Sequence, residues 1–435
     1  MKTVLTRVEG EGSAVIVERE GYVDSVIYEV SEAPRFFEYL VIGKSPERVV
    51  DIVSRICGIC GTSYNFVAST AFEKCFSVDV DYEVATLREA LHLAERVKSH
   101  ILHLFYLNLP DLVGTASFEG FLQRNPELAR DAVAVLAWSR KVMEVLGGRM
   151  HNVVNMKIGG VHKVPDKSDV ERVAKELGSV MKSFLEFASF TLCLRDSDES
   201  AWKMDVRVHQ ASLYTPTYEY PHHGDKVLMD GDVYSLSEFY GNTVKYRQVP
   251  YSTAIHCRIK GVESYVVGPI ARFNHFYSSL HKEVRDFLRA HGWEAPLGSV
   301  KQSYVARIAE TFDALLTLER FFDAFRGIAV PCTATPAKGE YVCEYAVEAP
   351  RGILYHKYVV RDGKIIACDI IAPTTQNLAA MNDIATATLR GRRVDPNAVA
   401  IVKKIAVAFD PCLSCSVHAL PVKIIKADDN IVGLF

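Results

Sequence analysis

The first thirty residues alternate broadly between apolar and polar side chains. Apolar runs at 14–17 and 22–30 are separated by Glu20 and Gly21. A period of two is typical of strands with one buried face, and a break containing glycine is typical of a turn. This pattern predicts an N-terminal β-hairpin or meander over residues 1–30.

Farther along the chain, apolar residues recur at steps of three and four. The pattern is clearest over residues 83–108 and predicts a long amphipathic helix there. Pro110 is expected to end this helix and to leave Asp111 just beyond it. The residues that would share the apolar face are Leu87, Leu91, Ala94, Val97, Ile101 and Leu104. The same period predicts helices near residues 64–72, 127–146, 167–193, 276–291, 301–326 and 376–391.

Short apolar runs separated by turn residues return in two regions. Between about 203 and 272 they predict short strands, and over 341–372 they predict two strands around the turn Arg361–Lys364. No repeat and no linker rich in Gly, Ser or Pro divides the chain. We therefore predict one α+β domain over residues 1–435, mainly helical, with a long-helix bundle at its core and small peripheral β lobes.

The composition restricts the class of protein. Apolar residues make up 49% of the chain, but no stretch of about 18 residues lacks charges, so a membrane span is not expected. The net charge is −3 and basic runs are absent, which argues against nucleic acid as a partner. The start has no apolar signal-peptide core, and we expect a cytoplasmic protein.

The chain has ten cysteines, and four of them form two Cys-x-x-Cys pairs at opposite ends of the sequence. These pairs are Cys57/Cys60 and Cys412/Cys415. Two intervening residues let both thiolates of a pair bind one metal. Disulfides are not expected in a large cytoplasmic chain, and the six single cysteines are most simply small buried apolar residues.

A site with four thiolates leaves three interpretations open: structural zinc, a redox-active metal, or a chance arrangement. Zinc ribbons separate their pairs by roughly 15–20 residues, unlike the two pairs of this chain. Arg55, Asp410 and His418 flank the pairs. A closed zinc knuckle does not need such polar groups, whereas a metal that is open to substrate is tuned by them. The flanks favour a redox metal.

Six motifs occur in order along almost the whole chain: Arg7–Gly10, Arg35–Glu38, Arg55–Cys60, Ala349–Gly352, Pro373–Asn377 and Asp410–His418. Together they resemble the large, catalytic subunit of [NiFe] hydrogenases. The resemblance implies reversible oxidation of H2 to two protons and two electrons at a nickel–iron centre whose iron carries CO and two cyanides. It is greatest to the cytoplasmic, bidirectional branch linked to NAD(P) or another soluble carrier.

The resemblance assigns roles to the cysteines and to one carboxylate. It implies that Cys57 and Cys412 are terminal nickel ligands and that Cys60 and Cys415 bridge nickel and iron. Thiolates are soft donors that suit both metals. Glu9 would lie next to Cys412 as the first proton acceptor. On pattern alone, a charge at a solvated strand edge is the favoured interpretation of Glu9.

The resemblance also implies a set of residues over the open side of the metals. Arg351 would donate a hydrogen bond to a cyanide and polarise H2, because a permanently charged planar donor suits an anionic group. Asp111 and Asp410 would anchor that arginine, and Pro350 and Thr374 would line the pocket for the diatomic ligands. For Asp111, a turn residue at a helix end is an alternative.

Glu38 and His418 resemble the family's ligands for a separate Mg²⁺ near the C-terminus. The sequence departs from the family at Tyr64, where histidine is usual; a tyrosine hydroxyl donates one hydrogen bond but cannot carry a positive charge. We expect altered redox tuning or oxygen response there. Residues 419–435 resemble the tail that a dedicated endopeptidase removes after nickel insertion, although their pattern also fits a strand pair.

An electron route out of the chain requires partners, because no further cysteine cluster would hold an iron–sulfur relay. The resemblance implies an iron–sulfur small subunit, flavin- and NAD(P)-binding diaphorase-type subunits, and hydrogenase maturation factors. Two alternatives lack hydrogen chemistry. One is a structural subunit with the hydrogenase fold, as in respiratory complex I, and the other is a zinc-bound scaffold.

Overall fold

The computed structural model describes residues 1–113, 118–194, 208–216, 219–327 and 339–417. Long helices form its centre, and two short 3₁₀ turns, Ser54–Ile56 and Leu413–Ser416, carry the cysteine pairs toward it. The helices are α1 Phe37–Leu40, α2 Pro46–Val53, α3 Gly61–Cys75, α4 Tyr82–Leu102, α5 Leu109–Leu112, α6 Phe118–Arg124, α7 Pro126–Gly147, α8 Lys167–Cys193, α9 Leu236–Glu238, α10 Pro269–Phe276, α11 Lys282–Ala290, α12 Ser303–Ala324, α13 Pro373–Leu389 and α14 Pro396–Phe409.

Small sheets surround the helices. Their strand orders are β1-β2-β3, β4-β5, β12-β6-β8-β9, β10-β11 and β15-β14-β13-β7, and only the β12–β6 pair is parallel among the described strands. The strands are β1 Lys2–Val4, β2 Gly12–Arg19, β3 Tyr22–Val30, β4 Met156–Lys157, β5 Gly160–Val161, β6 His209–Leu213, β7 His223–Gly224, β8 Lys226–Met229, β9 Asp232–Ser235, β10 Val244–Arg247, β11 His256–Ile259, β12 Tyr265–Val267, β13 Glu340–Ala349, β14 Gly352–Arg361 and β15 Lys364–Ile371. The predicted α+β class is confirmed.

Helix α4 lies at the middle of the bundle and contacts α3, α7 and α12. Its predicted apolar face is buried, but so is much of its remaining surface. A buried charge is costly unless it is paired, so these polar side chains require partners inside the protein. The buried charged and imidazole residues of α4 are Arg88, His92, Glu95, Arg96, Lys98 and His100.

Several elements differ from their prediction. Pro110 does not end the helical path: it lies in the first turn of α5, where its missing N–H is not needed, and Asp111 follows inside that helix. The helix predicted over 276–291 is broken at Leu280 into α10 and α11. Over 341–372 the chain forms three antiparallel strands rather than two.

The prediction that the single cysteines are only buried apolar residues is wrong for Cys75 and Cys343, which form a disulfide. The bond joins the last residue of α3 to β13. Cys257 is a buried free thiol, as expected, whereas Cys193 is exposed. Cys332 lies outside the described residues.

None of the helices in the described part of the chain combines the length and the apolar character needed to cross a membrane.

Candidate metal centre

The two cysteine pairs come together in one buried cluster. Cys57 and Cys60 lie between a 3₁₀ turn and the first residue of α3, and Cys412 and Cys415 follow α14. The Cys57 and Cys412 sulfurs are 3.5 Å apart, and the Cys60 and Cys415 sulfurs are 3.8 Å apart. All four sulfurs lie within 4.8 Å of one another. This spacing allows four thiolates to bind one compact metal centre.

The two ends of the chain meet at this cluster. Glu9 forms an isolated parallel bridge with Cys412, and the Leu413 N–H donates to the Glu9 carbonyl at 2.9 Å. The Arg35 guanidinium donates to the Ile56 carbonyl at 2.6 Å and to the Ser414 carbonyl at 2.8 Å. Arg35 therefore links the two loops that carry the cysteines, one from each end of the sequence.

The Glu9 side chain lies directly against the cluster. Its Oε2 is 3.0 Å from the Cys412 sulfur and accepts from the Ser414 N–H at 3.2 Å. The Ser414 hydroxyl donates to the other carboxylate oxygen. The carboxylate is thus held between a cysteine sulfur on one side and a hydroxyl on the other, which is the arrangement needed for a proton acceptor.

The thiols of the cluster differ in acidity. Burial raises the pKa of the Cys412 and Cys415 thiols well above the ordinary value. Burial also acts to raise the pKa of Cys57, but hydrogen bonds from the other three cysteines and the charge of Arg351 outweigh it and lower that pKa. The cluster therefore stabilises one thiolate, and a bound metal cation would displace the remaining thiol protons.

Arg351 and Asp410 form a buried ion pair beside the cysteines. Arg351 donates through Nε to the Asp410 carbonyl at 2.7 Å and through Nη2 to the Asp410 carboxylate at 3.0 Å. Arg307 reaches the other carboxylate oxygen at 3.9 Å. Burial acts to raise the pKa of Asp410, but Arg351, His103 and Arg307 lower it. Arg351 Nη1 is buried and has no hydrogen-bond partner among the described residues.

Asp111 does not anchor Arg351 in this structure. It accepts a hydrogen bond from Arg7 at 2.6 Å, and Arg307 takes the expected place as the third member of the Asp410 cluster. Thr374 accepts from the Cys412 N–H at 2.9 Å, so its hydroxyl fixes the backbone of a cysteine. Pro350 directly precedes Arg351 in the turn between β13 and β14.

The sequence matches the family described as nickel-dependent hydrogenase over residues 35–134 and 239–418. The chain belongs to this family. It is 31% identical to the alpha subunit of sulfhydrogenase 2 from Pyrococcus furiosus, over 95% of this chain and 97% of that protein. It is 26% identical to a subunit of the F420-non-reducing hydrogenase vhu from Methanocaldococcus jannaschii, over 87% of this chain and 95% of that protein.

Solved hydrogenase structures share the fold. A chain of an NAD⁺-reducing [NiFe]-hydrogenase in the H2-reduced state matches with a TM-score of 0.85 and 23% identity, over 96% of this chain and 99% of that chain. A [NiFeSe]-hydrogenase from Dm. baculatum matches with a TM-score of 0.79 and 22% identity, again over 96% and 99%. The predicted resemblance is confirmed: the chain is the catalytic subunit of a nickel-dependent hydrogenase.

Tyr64 distinguishes this hydrogenase from the expected family pattern. Its side chain is fully buried, and its hydroxyl has no hydrogen-bond partner among the described residues. Burial, followed by the charges of Cys415 and the other thiolates, raises the pKa of Tyr64 well above its ordinary value. The hydroxyl therefore keeps its proton beside the cysteines. The His356 ring packs against the Tyr64 ring with their centroids 5.4 Å apart.

The expected Mg²⁺ site is only half described. Glu38 accepts a hydrogen bond from the Ile370 N–H at 3.0 Å, which places its carboxylate near the C-terminal end of β15. His418 lies outside the described residues, as does the tail over residues 419–435. The pairing of Glu38 with His418 and the removal of the tail both stay predictions.

Helix α4 carries buried charges near the Cys57/Cys60 pair that the motifs did not reveal. Glu95 of α4 accepts from the Thr62 and Ser63 N–H groups at 2.7 and 2.9 Å, which caps the helix that begins after Cys60. Lys98, one turn further on, is fully buried, and its Nζ has no hydrogen-bond partner among the described residues. The signal in the sequence was the row of charges along the most regular apolar helix.

Proposed function

We propose that this chain catalyses the reversible oxidation of H2 at a nickel–iron centre and passes the electrons to an iron–sulfur partner subunit. The observation that carries the proposal is the cluster of four buried sulfurs, all within 4.8 Å of one another, with a carboxylate 3.0 Å from one of them. Cys57 and Cys412 would be the terminal nickel ligands, and Cys60 and Cys415 would bridge nickel and iron.

The donor set fits the proposed group. Four thiolates are soft ligands suited to nickel and iron, and two facing sulfur pairs can hold two metals at bonding distance. Arg351 adds a permanently charged N–H that no described residue accepts, which suits a cyanide on iron. When bound, the nickel–iron centre supplies heterolytic cleavage of H2 and uptake of its electrons. CO and cyanide on iron and a nearby Mg²⁺ at Glu38 complete the proposed cofactor set.

Proton transfer is the role of Glu9. The Glu9 Oε2 lies 3.0 Å from the Cys412 sulfur and can accept a proton from it. The Ser414 hydroxyl donates a hydrogen bond to the other oxygen of the same carboxylate. The carboxylate can therefore take a proton on Oε2 and pass it to Ser414 once the carboxyl group has turned and the hydroxyl has rotated to accept. Asp410 has a different role, since its charge holds the Arg351 guanidinium in place, and Arg307 in turn reaches the other Asp410 oxygen at 3.9 Å.

Electron transfer requires a second subunit. The cysteines that bind the metals are the only group of three or more His, Cys, Asp or Glu suited to a metal among the described residues. The curated relatives carry the names of single subunits, which supports a heteromeric enzyme. The likeness to an NAD⁺-reducing enzyme supports a partner that binds NAD(P). Flavin-binding, diaphorase-type subunits and a cytoplasmic location are proposed from the resemblance of the motifs. Maturation factors and an endopeptidase would complete assembly.

We propose that electrons leave this chain at the surface around Gly58, where the iron–sulfur subunit would pack. Gly58 stands between Cys57 and Cys60 and is exposed, whereas both cysteines are buried. A Cβ at Gly58 would meet no atom within 4 Å, so a larger side chain fits without disturbing the fold of this chain. A Cβ at Gly61, by contrast, would lie 2.6 Å from the Asn152 side-chain amide and 2.7 Å from the Ser54 carbonyl.

These two glycines provide a matched test. Gly58→Leu is expected to keep nickel, iron and H2/D2O exchange but to weaken, by about tenfold or more, the binding of the iron–sulfur subunit, as a clash at a packed interface would. Gly61→Ala is expected to lose metal instead, because the cysteine loop must shift. Metal analysis, isotope exchange and co-purification of the partner separate the outcomes. Normal assembly with the partner in Gly58→Leu would contradict this route.

Metal content tests the function itself. The catalytic subunit, purified from its native host and separated from its iron–sulfur partner, is expected to contain nickel and iron in equal amounts and to show infrared bands of CO and cyanide. Cys415→Ser should remove the metals and the bands, whereas Cys257→Ser, a buried free thiol outside the cluster, should leave both. Zinc without nickel would instead support the scaffold alternative. A metal-free, stable chain in an active complex would support the alternative of a structural subunit, against which the four retained cysteines argue.

A further inference from the structure

Arg272 of α10 uses every N–H of its guanidinium inside the protein. It is fully buried and donates through Nε and Nη2 to both oxygens of Glu310, at 2.6 and 2.7 Å. Nη1 donates to Glu348 at 2.7 Å. The remaining two donors reach the carbonyls of Ala349 and Pro350, each at 3.0 Å. Five donors and five acceptors make a complete set.

The two carbonyls belong to the turn that presents Arg351 to the cysteines. The other side of this turn is equally confined. Gly268 has a φ of +111° and a Cβ there would lie 2.5 Å from the Arg351 carbonyl. Gly352 has a φ of +135° and a Cβ there would lie 2.6 Å from Val267. Arg272 confines the turn on one side and Gly268 confines it on the other, so the backbone of Arg351 has no room to shift.

The Arg351 side chain is fixed independently at its far end by Asp410. We propose that Arg272 is a positioning residue that sets where Arg351 presents its unpartnered Nη1 to the metal centre. The proposal rests on the proposed function, since it concerns the use of Arg351 there. Arg272 is too well bonded to touch substrate itself, so it acts through the turn.

The surroundings of Arg272 determine which substitution tests it. Glu310 also accepts from His100 at 2.7 Å and from Tyr220 at 2.6 Å, and Glu348 accepts from the Leu213 N–H at 2.7 Å. Removing the guanidinium charge would leave two buried carboxylates uncompensated, which threatens folding. Arg272→Lys keeps the charge. A lysine has three donors on one atom and cannot reach two carboxylates and two carbonyls together.

In the metal-loaded complex, Arg272→Lys is expected to lower kcat for H2 oxidation roughly 10- to 100-fold, as a displacement of about 1 Å does, with little change in KM for H2. Nickel and iron content should stay normal while the cyanide infrared bands shift. The decisive step is a double-mutant cycle. In an Arg351→Lys background, Arg272→Lys should change kcat less than twofold, because its effect passes through Arg351.

Arg361→Lys is the matched control, since Arg361 pairs with Glu340 at the exposed end of the same hairpin; it should leave kcat and the bands unchanged. Unshifted bands with normal kcat in Arg272→Lys, or additive losses in the double variant, would overturn the proposal. If Arg272→Lys does not fold, Gly268→Ala displaces the same turn without touching the buried charges, and unchanged bands there would overturn it equally. Wild-type protein without nickel or cyanide bands would instead overturn the proposed function.

Discussion

Glu9→Gln is expected to lower H2-dependent turnover roughly 10²- to 10⁴-fold, the usual range for loss of a proton-transfer group. The amide keeps the shape of the side chain but cannot take a proton from the Cys412 sulfur, 3.0 Å away, and release another toward Ser414. The cysteines and Arg351 are untouched, so the metals should still bind. Turnover with a soluble dye and H2/D2O exchange measure the loss.

Conversion between para- and ortho-H2 separates proton transfer from assembly, because it needs the metals but no exit of protons. It should survive in Glu9→Gln. Glu11→Gln, an exposed carboxylate two residues along the same segment, is the control and should behave as wild type. Equal loss of exchange and of para/ortho conversion in Glu9→Gln would show a damaged centre rather than a blocked proton route.

The helical core could be predicted well because its signal is local. Residues 167–193 were predicted as a helix and form α8 with those bounds, and 127–146 corresponds to α7 within a residue. Helix α14 was missed because its sequence is apolar on nearly all sides, and a continuous apolar run has no period that distinguishes helix from strand. Strand β13 was missed because the limits of a strand depend on the strand with which it pairs, here β14, and not on its own sequence pattern alone.

The candidate site shows the same division. The cysteine pairs could be identified from their spacing, because two Cys-x-x-Cys pairs have few other uses. Glu9 could be assigned only through the resemblance to the family, since its pattern alone favours a charge at a solvated strand edge. The roles of Arg307 and Arg272 could not, since an arginine on a helix is usually an exposed residue and only the packing reveals that both are buried. Asp111 was assigned to the wrong partner because the sequence does not show that Arg7 folds against it.

The disulfide is expected to be the largest single contribution to stability that the sequence did not indicate. This bond was not predicted from the sequence, because disulfides are rare in cytoplasmic proteins and no single pair of cysteines outweighs that rule. The bond joins residues 268 positions apart, and a cross-link over so long a loop restricts the unfolded chain strongly. Replacing Cys75 and Cys343 together by serine should lower the free energy of unfolding by about 2–5 kcal/mol.

The measurement is thermal unfolding of the metal-loaded protein with and without a thiol reductant. Wild type should lose several degrees in unfolding midpoint when reduced, and the double serine variant should already have the lower midpoint and not respond. Cys368→Ser, on β15 of the same sheet and outside the disulfide, should keep the wild-type response. Activity at low temperature should persist in the double variant, because Asp410 still holds Arg351 and the four cluster cysteines are unchanged. A wild-type midpoint that ignores reductant, with no cross-linked peptide of Cys75 and Cys343 in mass spectra, would show that the bond does not form in solution.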